Sequence, residues 1–376
     1  MRPTWVEVSL VKLRQNFRAI QQHVGNDIAV CAVIKVDAYG HGAVPCARAL
    51  QQEGAAWLGV TSTEEGVRLR DAGVATRILL MTGFWQGEEE EVVHHNLTSL
   101  VWECWQVDLL AKSAAKLARK SFPIHLKIDT GMARLGASCR NAPELVQLLK
   151  ATPELQPEGV ATHLKSAEVL DASDVPEQLS CFRNVQTMIE AAGCKPIYYH
   201  VANTAALASH GEAWNNMVRP GICLYGYHLR FACDRTSCPI SVPNVEPVLS
   251  WKTRVISLRV GAQQSIGYDG AYVTPAAARL AALPVGYGDG LSRQLSSRGR
   301  VIIHYTYARI VGNITMDVTV IGVTPLPRVQ LGDEVVLLGS SDHCDVSAWE
   351  HAELENTIPY EVLCRVGHRV PREYSA

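Results

Sequence analysis

The feature that most limits the fold is an alternation of short apolar segments with longer amphipathic ones. Eight apolar, β-branched segments predict strands: 28–36, 55–62, 77–83, 98–102, 124–129, 158–163, 196–200 and 216–220. Segments with helical periodicity lie between them, among them 46–54, 64–73, 108–120 and 177–193. This pattern favours an α/β fold with a closed (β/α)8 TIM-type barrel. An open doubly wound sheet is the alternative that the pattern leaves open.

The pattern changes after about residue 240. Segments with strand character and short turns replace the helical ones, at 248–260, 300–323 and 333–339. We therefore expect two domains, a barrel over residues 9–235 and a C-terminal mostly-β domain over residues 240–376 that also takes in residues 1–8. The aperiodic stretch 229–246 is the predicted connection.

Charge and cysteine content exclude several classes of protein. The 35 Lys and Arg residues nearly balance the 37 Asp and Glu residues, which removes the general attraction to nucleic acid. No apolar run is long enough to span a membrane, and the N-terminal segment lacks the features of a signal peptide. The 11 cysteines include no C-x-x-C pair, which is typical of reduced thiols in a cytoplasmic protein.

A lysine follows the first predicted barrel strand, in the segment AVIKVDAYGHG at 32–42. Active sites of barrels form where strands end, and burial lowers the pKa of a lysine, so Lys35 is a candidate to attack a carbonyl and form a Schiff base. A lysine whose ammonium group merely extends to the solvent from a strand end fits the same pattern.

Further polar residues end other predicted strands. Arg134, in KIDTGMARLG, is suited to bind a carboxylate by two hydrogen bonds, although an ion pair with Asp129 fits the composition equally well. Asn203 and Thr204 precede an apolar run and fit either a simple helix cap or a phosphate site. Gly221 follows the eighth strand, near which barrels often bind phosphate.

The β domain carries three glycine- or tyrosine-containing motifs, at 265–270, 286–290 and 315–317. Each taken alone is compatible with an ordinary hairpin turn. The glycine spacing at 286–290 does not fit a dinucleotide fingerprint. No histidine or cysteine cluster has the spacing of a zinc site, so no metal is expected.

Taken in order, these motifs resemble the alanine racemases, pyridoxal 5'-phosphate enzymes with a barrel and a C-terminal β domain. The matching strings cover nearly the whole chain: RPTWVEVSLVKLRQNFRAI, AVIKVDAYGHG, KIDTGMARLG, THLKSAE, HVANTAA, VRPGICLYG, SIGYDGAY, LPVGYGDG, GNITMD and IPYEVL. The resemblance implies interconversion of L- and D-alanine, which supplies D-alanine as a peptidoglycan precursor.

The resemblance also assigns roles to residues. Lys35 would hold the cofactor covalently, and Lys35 and Tyr268 would be the two proton-transfer groups. The positions that match cofactor contacts are Lys35, Tyr39, His163, Asn203, Thr204, Arg219, Gly221, Ile222 and Tyr360. The positions that match substrate contacts are Arg134, Tyr268, Tyr287 and Met316. Lys127 matches a lysine that is often carbamylated. Tyr268 matches a tyrosine that reaches the active site of the other subunit in a homodimer.

Three positions depart from the common pattern of the family: Asp37 stands where asparagine is frequent, Asn313 where arginine is frequent, and Glu168 where aspartate is common. These departures leave open a racemase of broader range, for example one acting on serine. The competing classes are an amino-acid decarboxylase, a non-catalytic pyridoxal-phosphate carrier and a purely structural protein. Arg219 argues against the decarboxylase, and Tyr268 with its β domain argues against the carrier.

Overall fold

The computed structural model describes residues 2–233, 240–261, 263–275 and 277–376, so the middle of the predicted connection, residues 234–239, lies outside the described residues. Contacts divide the chain into two compact units. The barrel unit comprises Leu13–Ala38 and Ala43–Glu246. The β unit comprises the N-terminal segment up to Lys12, the short segment Tyr39–Gly42, and Pro247–Ala376.

The strands in chain order are β1 Thr4–Ser9, β2 Ala29–Val33, β3 Trp57–Val60, β4 Arg77–Leu80, β5 Leu97–Val101, β6 Phe122–Asp129, β7 Ala137–Ser138, β8 Leu155–Ala161, β9 Tyr198–His200, β10 Met217–Val218, β11 Leu249–Arg254, β12 Ser257–Gly261, β13 Ser265–Ile266, β14 Tyr272–Val273, β15 Ala278–Leu283, β16 Arg300–Ile303, β17 Thr306–Ile310, β18 Thr319–Gly322, β19 Glu334–Ser341, β20 Cys344–Val346 and β21 Arg372–Ser375. The helices are α1 Leu10–Val24, α2 Lys35–Tyr39, α3 Ala43–Gln52, α4 Thr63–Asp71, α5 Glu89–His94, α6 Cys104–Lys116, α7 Ala142–Lys150, α8 Asp174–Ala191, α9 Thr204–Ser209, α10 Ala348–Glu355 and α11 Pro359–Cys364.

The barrel unit is built on a parallel sheet in the order β10-β2-β3-β4-β5-β6-β8-β9, with β7 beside β6. The chain just beyond its two end strands is joined, because the backbone N–H of Arg219 donates to the carbonyl of Ala202 at 2.9 Å. Apolar side chains from six of the strands pack together in one core cluster: Cys31, Trp57, Leu79, Leu100, Ala161 and Met217. The predicted barrel of eight strands is confirmed, and the open sheet is excluded.

The predicted helices of the barrel unit are also present, and local signals explain their bounds. Ser62 caps α4 by accepting a hydrogen bond from the backbone N–H of Glu65. In α8 the buried residues Val175, Leu179 and Phe182 recur every three or four positions, which is the period of an amphipathic helix.

The first barrel strand ends earlier than predicted. We expected a strand over 28–36, but β2 ends at Val33 and the chain turns left-handed from Val36 to Tyr39, where φ lies between 50° and 55° at each residue. A left-handed conformation costs about 1–2 kcal/mol per non-glycine residue. Two contacts offset part of this cost: the N–H of Ala38 donates to the Ile34 carbonyl at 2.9 Å, and Asp37 accepts from the N–H of Ala43 at 2.9 Å.

The β unit contains a sheet in the order β12-β15-β18-β17-β16-β19-β11-β1-β21, with β20 beside β19 and a separate hairpin of β13 and β14. The N-terminal strand β1 pairs antiparallel with β11 and parallel with β21. A mostly-β C-terminal domain is therefore confirmed, with the N-terminal strand in its sheet.

One pair of cysteines departs from the expectation of reduced thiols. Cys139 and Cys181 form a disulfide, with their Cα atoms 7.2 Å apart. The expectation is wrong for this pair because β7 and α8, which are distant in sequence, bring the two side chains together. In the part of the chain that the structure describes, no helix is long and apolar enough to cross a membrane.

Candidate active site

The residues predicted for the barrel site follow the carboxyl ends of neighbouring strands. Lys35 lies two residues after β2, His163 two residues after β8, and Arg219 directly after β10. Lys127 lies within β6, near its end. Because the carboxyl ends of parallel strands meet at one edge of a barrel, the fold brings these side chains to the same edge.

Arg219 is buried and held in one orientation by several acceptors. One terminal nitrogen, Nη1, donates to His200 at the ring Nδ1 (2.9 Å) and at the carbonyl (2.7 Å). The other, Nη2, donates to the carbonyls of Thr162 at 2.9 Å and Val201 at 3.0 Å. No carboxylate directly pairs with this cation among the described residues. The site therefore presents a fixed guanidinium.

The pKa of His163 reflects the positive charge of the barrel site. Its ring Nδ1 lies 3.5 Å from Nη2 of Arg219. Burial, together with the charges of Arg219, Lys127, Arg134 and Lys35, lowers the pKa of His163 to about 2. The positive charges of this site thus act on one imidazole, which remains neutral at physiological pH.

Lys127 is buried among positive charges. Burial lowers its pKa well below the usual value, and the cations Arg219 and Arg134 add to this effect, while Asp129 partly opposes it. A neutral amine is a nucleophile, whereas an ammonium group is not. The structure therefore favours an unprotonated, reactive Lys127.

The loops after β9 and β10 are joined by a side chain. The Thr204 hydroxyl accepts a hydrogen bond from the backbone N–H of Gly221 at 2.8 Å. Asn203 caps α9 by accepting a hydrogen bond from the N–H of Ala206 at 3.0 Å, which agrees with the helix cap predicted for this position. Ile222 is buried and begins a 3-10 helix at Ile222–Tyr225. These residues form one cluster of hydroxyl and amide groups.

The loop that carries Arg134 is ordered by Asp129. One oxygen of Asp129 accepts from the backbone N–H groups of Gly131, Met132 and Ala133 at 2.9–3.1 Å. Among the described residues Asp129 makes no ion pair with Arg134, so the expectation of an ion pair is wrong. Arg134 stays exposed at the end of the loop.

Gln178 of α8 is a supporting residue that the sequence analysis missed. Its amide nitrogen donates to the hydroxyl of Thr130 at 3.3 Å and to the carbonyl of His163 at 3.1 Å. Its oxygen accepts from the N–H of Lys165 at 2.9 Å. A buried glutamine inside an apolar helix face is the signal that could have identified it, because such amides need partners.

Two predicted tyrosines meet in the β unit. The rings of Tyr39 and Tyr360 have their centroids 5.8 Å apart. The neighbouring Gly40 has positive φ, and a Cβ atom there would lie 2.5 Å from the carbonyl oxygen of Leu363. Only glycine therefore allows the segment 39–42 to pack against α11.

Tyr287 and Met316 also lie together in the β unit. The N–H groups of Tyr287 and Gly288 donate to the carbonyls of Thr315 and Met316, at 3.0 and 2.9 Å. A Cβ atom at Gly286 would lie 2.1 Å from the Thr315 carbonyl oxygen, so this close approach requires glycine. Within the described residues, the N–H of Met316 has no hydrogen-bond acceptor, which leaves it available to a ligand.

Tyr268 begins a 3-10 helix in the hairpin connection between β13 and β14. Its side chain is 72% exposed in the single chain. Its carbonyl accepts a hydrogen bond from the side chain of Asn313 at 3.2 Å. Asn313, one of the three departures, thus supports the backbone of a candidate proton-transfer residue.

Comparison with known proteins decides the family. The profile of the alanine racemase N-terminal domain matches residues 8–229, and that of the C-terminal domain matches residues 248–374. The chain belongs to the alanine racemase family. An alanine racemase of Sorangium cellulosum is 36% identical over 384 residues, covering 100% of this chain and 99% of that protein.

Solved structures agree with this assignment. The alanine racemase of the D-cycloserine producer Streptomyces lavendulae has a TM-score of 0.91 and 32% identity, with 100% of this chain and 98% of that one covered. The alanine racemase of Bartonella henselae, solved with covalently bound pyridoxal phosphate, has a TM-score of 0.86 and 27% identity, and both chains are covered completely. The chain is thus an alanine racemase, an isomerase, by family, and a broader serine racemase gains no support over it.

Proposed function

We propose that this chain interconverts L- and D-alanine with pyridoxal 5'-phosphate, using Lys35 and Tyr268 as the two proton-transfer groups. The observation that carries the proposal is the barrel edge at which Lys35, His163 and Arg219 follow the ends of β2, β8 and β10, with Nη2 of Arg219 3.5 Å from the His163 ring. A lysine near a fixed cation and a hydroxyl–amide cluster has the chemistry to hold an aldehyde that bears a phosphate.

The residues present fit this cofactor. Lys35 would supply the amine for a covalent bond. The Thr204 hydroxyl, whose oxygen accepts from the Gly221 N–H, and the amide of Ile222 would supply donors for the phosphate. Tyr39 and Tyr360 add two neighbouring phenol groups. When bound, pyridoxal 5'-phosphate spreads the electron pair left at the α-carbon, which makes the α-proton removable.

Arg219 would hold the ring nitrogen of the cofactor by donating a hydrogen bond to it. A guanidinium only donates hydrogen bonds and keeps its protons at any physiological pH. Its position is set by the His200 ring and three backbone carbonyls. The role of Arg219 is therefore to bind the ring nitrogen as a donor, which limits protonation at the wrong carbon.

Lys35 and Tyr268 exchange protons with opposite faces of the α-carbon, and their roles reverse with the direction of reaction. Inversion needs an acceptor on one face and a donor on the other. The exposure of Tyr268 in the single chain supports a shared site, in which Lys35 works with Tyr268 of the partner subunit in a homodimer. Tyr287 completes the substrate side of this site.

The substrate carboxylate is bound by Arg134 and the N–H of Met316. The exposed guanidinium and the available amide are both suited to a carboxylate. Carbon dioxide would add to the neutral amine of Lys127, which loses one proton to the solvent, and the resulting carbamate anion would pair with the nearby cations and orient Arg134. We place the reaction in the cytoplasm, because buried cysteines such as Cys31 and Cys223 form no disulfide and Cys139–Cys181 is the one disulfide among the described residues.

Mixing two inactive variants tests the two-group, shared-site proposal. Lys35→Ala and Tyr268→Phe homodimers should each fail to racemise alanine. After subunit exchange, half the dimers are mixed and each holds one intact site, so the mixture should recover about a quarter of wild-type activity. Racemisation by either variant alone contradicts the roles of Lys35 and Tyr268, and a mixture that stays inactive despite confirmed exchange contradicts the shared site.

A further inference from the structure

The interior of the barrel unit holds a line of buried polar side chains that continues beyond the proposed cofactor site. Nη1 of Arg219 lies 2.9 Å from Nδ1 of His200, and Nε2 of His200 lies 2.8 Å from Nδ1 of His125. Nε2 of His125 lies 3.7 Å from Oε2 of Glu158, too far for a hydrogen bond, and makes no hydrogen bond among the described residues. The same Glu158 oxygen accepts a hydrogen bond from Arg77.

The hydrogen positions along this line follow from its two ends. A guanidinium only donates, so Nδ1 of His200 must be an acceptor and its proton must sit on Nε2. That proton is donated to Nδ1 of His125, which places the second proton on Nε2 of His125. A carboxylate only accepts, so the Glu158 end requires the same direction. Every donor in the line therefore points from Arg219 toward Glu158.

Packing holds the central ring of the line in place. A Cβ atom at Gly159 would lie 2.5 Å from Nδ1 of His125, so the ring is seated directly on the glycine backbone. The indole of Trp57 packs edge-on against the His125 ring, with centroids 5.2 Å apart, and the ring of Tyr198 stacks on it at 5.9 Å. His125 has little freedom to rotate away from His200.

The pKa shifts along the line agree with neutral imidazoles at His200 and His125 between the charged side chains of Arg219 and Glu158. Burial lowers the pKa of His200, as do Arg219, His125 and Lys127. Burial also lowers the pKa of His125, an effect that Glu158 opposes and that Arg77 and Arg219 increase.

Glu158 itself is ionised. Burial alone would raise its pKa, but the contacts with His125 and Arg77 outweigh this, and the pKa lies below its usual value. Its negative charge therefore lies at the end of the line opposite to Arg219, with the two neutral rings between the charges.

We propose that Glu158 positions the guanidinium of Arg219 through the two intervening histidines. Glu158 lies in the middle of β8, four residues before Thr162, or about 13 Å along the strand from the catalytic edge. Glu158 touches neither substrate nor cofactor and is a positioning residue. This inference rests on the proposed role of Arg219 at the cofactor.

The protonation pattern is tested first, on the holoenzyme with 15N-labelled histidine. Nitrogen chemical shifts distinguish a ring nitrogen that carries a proton from one that does not. His125 and His200, assigned by His125→Phe and His200→Phe variants, should each carry one proton, on Nε2, between pH 6 and 9. A proton on Nδ1 of either ring, or titration of either ring in this range, overturns the proposal.

The functional link is tested with Glu158→Gln. The amide keeps an oxygen toward His125 and Arg77 but removes the negative charge. We expect kcat to fall about tenfold with little change in KM, because the guanidinium is less firmly placed. The pH at which the cofactor's visible absorbance titrates should fall by about half a unit, because the cationic site loses an anion.

Two further variants complete the test. Glu158→Asp keeps the charge and should restore most of the kcat and the absorbance titration. Glu53→Gln is the matched control, since it removes a carboxylate that pairs with Arg18 at 2.6 Å in the same barrel unit but outside the line. It should leave both readouts unchanged.

A Glu158→Gln enzyme with unaltered kcat and absorbance titration overturns the proposal, as does a Glu53→Gln enzyme with the same changes. If Glu158→Gln does not fold, Glu158→Asp and the histidine nitrogen shifts of the unsubstituted protein still test the proposal. If the unsubstituted protein racemises no alanine, the proposed function fails, whereas the histidine shifts still test the line itself.

Discussion

The Thr204 hydroxyl accepts a hydrogen bond from the backbone N–H of Gly221 at 2.8 Å, and this bond joins the loops that follow β9 and β10. Those two loops carry all the hydroxyl and amide groups that the barrel unit offers to a phosphate in our proposal. Together with the bonds from Arg219 to the carbonyls of Val201 and Ala202, the Thr204 side chain sets the relative position of both halves of the proposed phosphate site.

Thr204→Val should weaken binding of pyridoxal 5'-phosphate about tenfold, because loss of the hydroxyl removes a hydrogen bond of about 1–1.5 kcal/mol. Thr204→Ser, which keeps the hydroxyl, is the control and should bind as the unsubstituted protein does. The measurement is absorbance titration of the cofactor-free protein. Equal affinity in the valine variant would remove Thr204 from the phosphate site.

Arg219→Glu should increase transamination relative to racemisation. A carboxylate accepts a hydrogen bond and so stabilises a protonated ring nitrogen, whereas the guanidinium only donates. With the ring nitrogen protonated, protonation at the cofactor carbon instead of the α-carbon of the substrate becomes easier. The measurement is the aminated form of the cofactor produced per racemisation event, a ratio that does not depend on how much protein folds. Arg219→Lys, which also carries no acceptor, should leave the ratio low. An unchanged ratio in the glutamate variant contradicts the proposed role of Arg219.

Lys127 should react with carbon dioxide. Burial and the neighbouring cations keep its amine neutral, and the resulting carbamate gains from the same cations. Protein exchanged into 13C-bicarbonate should show one carbamate carbon signal that is absent from Lys127→Ala. The alanine variant should have a raised KM for alanine, and a small carboxylate such as acetate should partly restore it. A spectrum without this signal contradicts the modification.

Stability should decrease as the pH falls from 6.5 toward 4. Burial, together with the charge of Arg365, lowers the pKa of His351 to about 4, so between pH 6.5 and pH 4 the unfolded chain binds a proton that the folded chain excludes. This group alone removes about 3 kcal/mol from the free energy of unfolding by pH 4. His351→Gln should reduce the loss measured by urea unfolding by about this amount. His343→Gln, at an exposed position, should not.

The periodicity of the sequence was sufficient to predict all eight barrel strands and the mostly-β C-terminal domain. It did not predict the end of β2, because Val36, Asp37 and Ala38 carry no local signal for a left-handed turn. Glycine or asparagine would have been such a signal. Contacts made by the residues that follow Ile34 impose this turn, among them the hydrogen bond that Asp37 accepts from the N–H of Ala43.

Contacts between distant residues account for the rest of what was missed. His125 and His200 are separated by 75 positions, and neither motif indicates that the two rings meet. Each is nevertheless a polar residue inside an apolar strand, and this marks it as needing a partner. The disulfide between Cys139 and Cys181 was missed for the same reason, since their pairing depends on how α8 packs beside β7.

The short segment Tyr39–Gly42 belongs to the β unit, although the chain on both sides of it belongs to the barrel unit. Arg372 donates to the carbonyl of Gly40 at 3.2 Å, and the Tyr374 hydroxyl fills the space where a side chain at position 42 would stand. Deleting Pro247–Ala376 would remove these partners from a segment that begins only four residues after Lys35. The two halves are thus not interchangeable modules, and chimaeras that exchange one of them between relatives need this tetrapeptide to travel with its own C-terminal strand.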